Sequence, residues 1–133
     1  MSGLDTNVLV RWLLDDDAKQ SASVGVLLSE ARAKAEALFV PTTVALELEW
    51  VLRSRYQFDK PTVVKTFSAL LETQELDFEN EALLEQSLDF YKHGSADFAD
   101  CLHAGACAVA RRSPLLTFDR GAAKLEGIEL LKG

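Results

Sequence analysis

The chain has 133 residues, 48% of them hydrophobic, and is therefore long enough to form one domain with a full core. Its apolar runs are far shorter than the ~18–20 residues that cross a bilayer, and no basic segment followed by an apolar stretch opens it as a secretory signal would. The 21 acidic and 14 basic residues give a net charge of −7, which repels nucleic acid at long range and argues against a basic-groove binding protein.

Cysteine usage indicates a reducing compartment. Cys101 and Cys107 fall in one predicted helix, where a spacing of six residues puts them roughly 9 Å apart along the axis, too far for a disulfide. Free thiols are typical of the cytoplasm, and a chain with two histidines is a poor candidate for a zinc site. We therefore expect a cytoplasmic protein with one domain over residues 1–133 and no membrane partner.

Apolar periodicity predicts alternating helices and strands along the whole chain. Strands separated by helices indicate a parallel, doubly wound sheet with helices on both faces. The predicted fold is thus a three-layer α/β/α domain with about five short strands. Strands are predicted at residues 2–4, 37–41, 76–78, 114–118 and 128–131, and helices at 7–14, 19–36, 42–56, 80–92 and 120–125, with two more beginning at 59 and 97.

The first predicted strand ends in a carboxylate. Asp5 follows residues 2–4, at the carboxyl end of a strand, where ligands bind in open α/β sheets. Asp, Thr and Asn also satisfy the free amide groups at the start of a helix. Asp5 is therefore either a site residue or an N-cap, and this segment alone leaves both interpretations open.

Two acids lie on the helix predicted over residues 42–56. Glu49 has Arg53 four residues further on, the favourable orientation for a helical ion pair, so a surface ion pair explains it. Glu47 has no cation three or four residues away. Glu47 is therefore the better candidate for a functional site.

A further acidic pair begins the helix predicted from residue 97. Asp97 and Asp100 are three residues apart, so they project to the same side of the first helical turn. The small residues that follow, such as Ala104, would let this helix approach the sheet closely. The alternative is that both acids only complement the helix dipole.

The strand predicted over residues 114–118 also ends in an acid. Asp119 follows it directly and is the second acid at the carboxyl end of a predicted strand. Its alternative role is the N-cap of the short helix predicted over residues 120–125.

These acids come from four separate segments and suit one kind of chemistry. Clustered carboxylates repel each other, and their pKa values rise unless a cation compensates. Oxygen-only sites suit Mg²⁺ or Mn²⁺, and such ions activate water and neutralise a phosphoryl transition state. The pattern therefore predicts metal-dependent hydrolysis of phosphodiester bonds.

Four segments together resemble the motifs of PIN-domain proteins, in the expected order and spacing. The resemblance covers essentially the whole chain and is strongest to the VapC-like toxins of type II toxin–antitoxin systems. It implies a parallel-sheet α/β/α fold and a Mg²⁺- or Mn²⁺-dependent ribonuclease. The segments are LDTNVLV (4–10), ELEWVLR (47–53), DFAD (97–100) and TFDR (117–120).

The resemblance also implies roles for individual residues. Asp5, Glu47, Asp100 and Asp119 match the acidic quartet, with Asp5 and Asp100 as the chief metal ligands. Asp97 matches an acid present in only part of the family. The remaining matches are supporting polar residues, namely Thr6, Asn7 and Thr117, and we add as candidate phosphate contacts Arg11, Arg53, Arg55 and Arg120.

Family members are usually homodimers that a cognate antitoxin inhibits, so the resemblance implies both partners in addition to RNA. Two alternatives stay open. One is a catalytically weak domain that only binds a partner. The other is a metal-dependent phosphohydrolase of a different substrate class, although Asn7 stands where a haloacid-dehalogenase-like phosphatase would need a second aspartate.

Overall fold

The computed structural model describes residues 2–132, and within that range it contains six α-helices, one 3-10 helix and four short strands. The helices are α1 (Thr6–Leu13), α2 (Ala18–Lys34), α3 (Thr42–Ser54), α4 (Lys60–Leu71), α5 (Glu81–His93) and α6 (Phe98–Val109), the 3-10 helix is Ala122–Lys124, and the strands are β1 (Leu38–Val40), β2 (Leu76–Phe78), β3 (Leu115–Thr117) and β4 (Ile128–Leu130). These elements form two compact units, one ending at Glu79 and the other beginning at Asn80.

In the first unit, β1 and β2 form a parallel pair. Gly3 makes a single parallel bridge to Phe39, and the Leu4 N–H donates to the Phe39 carbonyl at 2.8 Å. The predicted first strand is therefore only a bridge, and the extended segment ends where Asp5 caps α1. The side chains buried most completely in this unit are Leu9, Val40, Leu48, Leu52, Val63 and Phe67.

In the second unit, β3 and β4 form another parallel pair, with Thr117 opposite Leu130. Helices α5 and α6 pack against each other, and the rings of Tyr91 and Phe98 meet edge to face with centroids 5.3 Å apart. All observed pairings are parallel, so the predicted α/β class is confirmed. The described part of the chain has four strands and one bridge instead of five strands.

Helix starts follow the local sequence closely. Polar side chains cap two of them: the Asp17 carboxylate accepts from the Gln20 N–H at 3.1 Å, and the Asn80 side chain accepts from the Leu83 N–H at 3.0 Å. The helix predicted over 120–125 is shorter than expected and is a single 3-10 turn. No helix within residues 2–132 combines the length and the apolar character that a membrane span needs.

The small residues of α6 allow this helix to pack closely against α5. A Cβ atom added to Gly105 would lie 2.5 Å from Ser87 Oγ and 3.3 Å from Leu83 Cδ1. The Ser87 hydroxyl is fully buried and donates to the Leu83 carbonyl at 2.7 Å. Since that oxygen is held in place, glycine is the residue that allows the two helices to be this close.

We predict that Gly105→Ala lowers the free energy of unfolding by about 1–3 kcal/mol, because the added methyl group overpacks the contact with Ser87. Urea unfolding followed by circular dichroism measures the change. Gly25→Ala on α2 is the matched control, since nothing lies within 4 Å of its added Cβ, and it should gain up to about 1 kcal/mol from helix propensity. A Gly105→Ala variant as stable as the parent or more stable would contradict the close packing of α5 and α6. Addition of Ser87→Ala to Gly105→Ala should restore part of the lost stability, because it removes the oxygen that the new methyl group meets.

Candidate functional site

Asp5 is the N-cap of α1. Its Oδ1 accepts a hydrogen bond from the Thr6 N–H at 2.7 Å, and its backbone is extended, as an N-cap requires. The residue is exposed, and within residues 2–132 its Oδ2 makes no hydrogen bond. The cap therefore occupies one carboxylate oxygen and leaves the other facing solvent, so capping and ligand binding are compatible.

Thr6 connects this cap to α3. Its side chain is buried, and its hydroxyl donates a short hydrogen bond to Glu47 Oε1. Glu47 is otherwise exposed. Thr6 also donates its N–H to Asp5. Two of the predicted acids of the first unit, Asp5 and Glu47, are therefore hydrogen-bonded to the same residue.

Glu49 is not the surface residue that the sequence predicts. Its ion pair with Arg53 is present, with Oε2 2.8 Å from Nε, but Glu49 is only 2% exposed. It falls on the core-facing stripe of α3, whereas Glu47 falls outside that stripe. The buried residues of the stripe are Ala45, Leu48, Glu49 and Leu52.

In the second unit, Asp97 is the N-cap of α6. Its Oδ1 accepts from the Asp100 N–H at 2.9 Å, so the predicted alternative of a helix-start role holds for this acid. Asp100 itself lies in the first turn and is half-buried. The two acids are therefore joined by a backbone hydrogen bond, with both side chains at the start of one helix.

Asp119 lies in the loop between β3 and the 3-10 turn. Its Oδ1 accepts from the N–H groups of Gly121 at 2.8 Å and Ala122 at 3.2 Å. The hydroxyl of Thr117 accepts from the Asp119 N–H at 3.0 Å. In Asp119, as in Asp5, backbone N–H groups hydrogen-bond to Oδ1, and this restrains the orientation of the carboxylate.

The acids of the second unit influence each other electrostatically. Partial burial raises the pKa of Asp100 above the ordinary aspartate value, and the neighbouring Asp97 and the charge of Asp119 raise that pKa further. The exposed His103 has a smaller, opposing effect. Asp100 is therefore a carboxylate whose ionised form is disfavoured in the absence of a cation.

The donor chemistry of these residues fits a hard divalent cation. Carboxylate oxygens that repel one another are relieved by a positive ion, and the donors are oxygens of the type that Mg²⁺ and Mn²⁺ prefer. Within residues 2–132, no three aspartate, glutamate, histidine or cysteine side chains form a ready-made metal cage. Mg²⁺ does not require one, because it usually binds one or two carboxylates and keeps water and substrate phosphate as its other ligands.

The predicted supporting residues differ in what they do. Thr6 bonds a carboxylate directly, whereas Thr117 bonds only the backbone of Asp119. Asn7 is exposed on α1, and its side chain makes no hydrogen bond to the other residues that the structure describes. Tertiary structure therefore gives a direct carboxylate contact to one of the three.

The four arginines predicted to contact phosphate also differ. Two are held by carboxylates: Arg11 lies 2.9 Å from Asp16, and Arg53 is the partner of Glu49. The other two are exposed, and Arg55 lies 6.0 Å from the centre of the Trp50 ring. The last, Arg120, is exposed and pairs with no other residue in the range 2–132.

Phe118 is a residue that the sequence analysis did not single out. It was placed inside the strand predicted over residues 114–118, but β3 ends at Thr117 and Phe118 is 70% exposed. The available signal was an aromatic residue directly before an acid. That signal alone could not show that Phe118 is exposed, because the sequence does not define the last residue of a strand to within one position.

Comparison with known proteins gives two matches. The family model described as PIN domain matches residues 4–128, a range that contains every candidate acid. The chain is also similar to a protein named VapC ribonuclease from Aquifex aeolicus (strain VF5), with 25% identity over 125 residues. That alignment covers 94% of this chain and 92% of the relative.

We predict that Asp100→Asn stabilises the metal-free protein at neutral pH. A raised pKa means that the folded state holds its proton more tightly than the unfolded chain, so the ionised carboxylate opposes folding. The advantage of the variant should be absent below the unfolded-state pKa of about 3.9 and grow as pH rises through the higher folded-state pKa. Thermal unfolding in EDTA across this pH range measures it.

The control for this prediction is Glu85→Gln, which removes one exposed charge from α5 in the same unit. It should show no comparable gain. If Asp100→Asn were no more stable than the parent at neutral pH, the favourable interaction of Asp100 with the start of α6 would outweigh the repulsion. Mg²⁺ should stabilise the parent more than it stabilises Asp100→Asn.

Proposed function

The chain belongs to the PIN domain family, and on that basis we propose that it is a Mg²⁺- or Mn²⁺-dependent endoribonuclease whose catalytic acids are Asp5, Glu47, Asp100 and Asp119. The observation that carries the proposal is the behaviour of Asp100. Partial burial raises its pKa, and the neighbouring Asp97 and Asp119 raise that pKa further; a bound divalent cation would oppose this shift. The similarity to a protein named VapC ribonuclease supports RNA as the substrate.

In this proposal Asp5 and Asp100 are the chief metal ligands, and Asp97 is an auxiliary acid. The ion, when bound, would activate water for in-line attack and offset the charge of the phosphoryl group. The chain's own contribution is orientation. Caps hold one oxygen of Asp5 and of Asp119, which leaves the second oxygen of each carboxylate to a ligand.

Thr6 has a positioning role in the same proposal. Its hydroxyl fixes Glu47, and its N–H fixes Asp5. Groups that hold metal-binding carboxylates by hydrogen bonds tune both their direction and their basicity. Thr6 would therefore keep two acids oriented before the ion or the RNA arrives.

The biological role that we propose is the toxin of a type II toxin–antitoxin pair. The name of the similar protein supports it, and a net charge of −7 suits inhibition by a basic partner protein. We further propose one functional domain, because the family match runs across both compact units. A homodimer in the cytoplasm completes the proposal, and a housekeeping nuclease is the alternative within the same enzyme class.

We predict that Asp5→Asn abolishes metal-dependent RNA cleavage, with at least about a 100-fold loss of rate, while the fold survives. Asparagine caps helices as well as aspartate does, so Thr6 keeps its acceptor and only the charge is lost. The assay uses purified protein with structured RNAs and single-stranded DNA, in Mg²⁺, in Mn²⁺ and in EDTA. Asp77→Asn, an exposed aspartate of β2, is the matched control and should cleave like the parent.

Cleavage by Asp5→Asn at the parental rate would exclude Asp5 as a metal ligand. If the parent cleaves nothing, calorimetry with Mn²⁺ separates the remaining possibilities. Metal binding without RNA cleavage would favour a phosphohydrolase of another substrate class. Absence of metal binding would favour a domain that only binds a protein partner.

We also predict that substitution of one glutamate of α3 affects RNA cleavage and that substitution of the other affects stability. Glu47→Gln keeps an oxygen acceptor for Thr6 and should lose cleavage but not stability. Glu49→Gln deprives Arg53 of its buried ionic partner and should lower the free energy of unfolding by about 1–3 kcal/mol, while the folded fraction still cleaves RNA. Urea unfolding and initial cleavage rates test both variants, and an equal loss of cleavage in the two folded proteins would contradict the assignment of Glu47.

A further inference from the structure

Three consecutive exposed residues follow β3: Phe118, Asp119 and Arg120. Phe118 is 70% exposed, more than any other large hydrophobic residue in the described range. A ring left in water forgoes the free energy that its burial would supply. An exposed aromatic, a carboxylate and a cation in direct succession are the three side-chain types that suit a nucleobase, a metal ion and a phosphate.

The backbone on both sides of Phe118 is held in place. Thr117 belongs to β3, and its carbonyl accepts from the Leu131 N–H at 2.7 Å. Asp119 donates its N–H to the Thr117 hydroxyl and accepts from the Gly121 N–H. The ring therefore stands on a fixed loop, and ordering it against a ligand costs little backbone entropy.

We propose that Phe118 is a stacking platform for an RNA base next to the scissile phosphate, and that Arg120 contacts the backbone phosphate. The inference rests on the proposed function, since it assumes that Asp119 belongs to the cleavage site. Consecutive Cα atoms are 3.8 Å apart, so a phosphate held at Asp119 brings an attached nucleoside within reach of the neighbouring ring. Bases stack on aromatic side chains in single-stranded RNA, at about 1–3 kcal/mol per base.

The charge of the protein favours stacking as a source of affinity. With a net charge of −7, long-range electrostatics oppose the approach of RNA. Stacking does not depend on the net charge of the protein. It would therefore supply affinity for RNA that other RNA-binding proteins obtain from a basic groove. Arg120 adds a local cation, and it has no ion-pair partner within residues 2–132 that would compete with a phosphate.

A protein partner is the competing occupant of this surface. Leu116 is 56% exposed and Leu131 is 43% exposed. In the register of β3 and β4, Leu116 lies opposite Glu129, on the face of the sheet opposite to Leu115 and Ile128. A partner covering that face would need Leu116 as much as Phe118. Stacking of an RNA base would need the Phe118 ring but not Leu116. Substitution of Leu116 should therefore weaken binding of a protein partner and leave binding of RNA unchanged.

The test measures binding of a fluorescein-labelled single-stranded oligoribonucleotide by anisotropy, with Asp5→Asn in every protein to prevent cleavage. Phe118→Ala should weaken binding by about 5- to 150-fold, which is the stacking free energy expressed as a ratio of dissociation constants. Phe118→Leu should weaken it similarly, and Phe118→Trp should preserve it. Leu116→Ala is the matched control and should bind like the parent.

Cleavage kinetics provide a second measurement in chains that keep Asp5. Loss of stacking in both ground and transition states should raise KM with little change in kcat. Because Phe118 is exposed, its variants should unfold like the parent.

Parental KM and affinity in Phe118→Ala, or an equal loss of affinity in Leu116→Ala, would overturn the inference while leaving the nuclease intact. An unaltered chain that neither binds nor cleaves RNA would remove the proposed function and this inference together.

Discussion

The constraint on which the candidate site depends is the need to satisfy free N–H groups where helices begin. Asp5, Asp97 and Asp119 each accept a backbone hydrogen bond at the start of a helical segment. A cap fixes the carboxylate without any dedicated packing. The hydrogen bonds to these backbone N–H groups use one oxygen of each carboxylate. Folding and metal chemistry can therefore use the same residues without competing for the same atom.

Asp100 shows the cost of this arrangement. It has no capping role of its own, its partial burial raises its pKa, and the acids near it raise that pKa further. A divalent cation would convert this unfavourable repulsion into binding free energy. In the proposed nuclease the metal-free protein would thus be held in a strained electrostatic state that the cofactor relieves.

The glutamates of α3 show where local patterns fail. The i, i+4 spacing correctly predicts the pairing of Glu49 with Arg53, because that contact depends only on helix geometry. The same spacing suggests a surface location, and this is wrong, since the phase of α3 against the core places Glu49 on the buried stripe. The first strand fails for a related reason. Residues 2–4 have the composition of a strand, but pairing needs a neighbour and enough length, and only one bridge to Phe39 forms.

The sequence by itself determined the order of helices and strands, the helix starts at residues such as Asp17 and Asn80, and the identity of the acids worth testing. These features depend on interactions within a few residues, so a linear pattern contains them. Tertiary structure decided that Thr6 bonds Glu47 across 41 positions, that Glu49 is buried, and that Phe118 leaves β3 and remains in solvent. Each of these depends on which segments pack together and where each strand ends, and no local pattern in the chain encodes those distances.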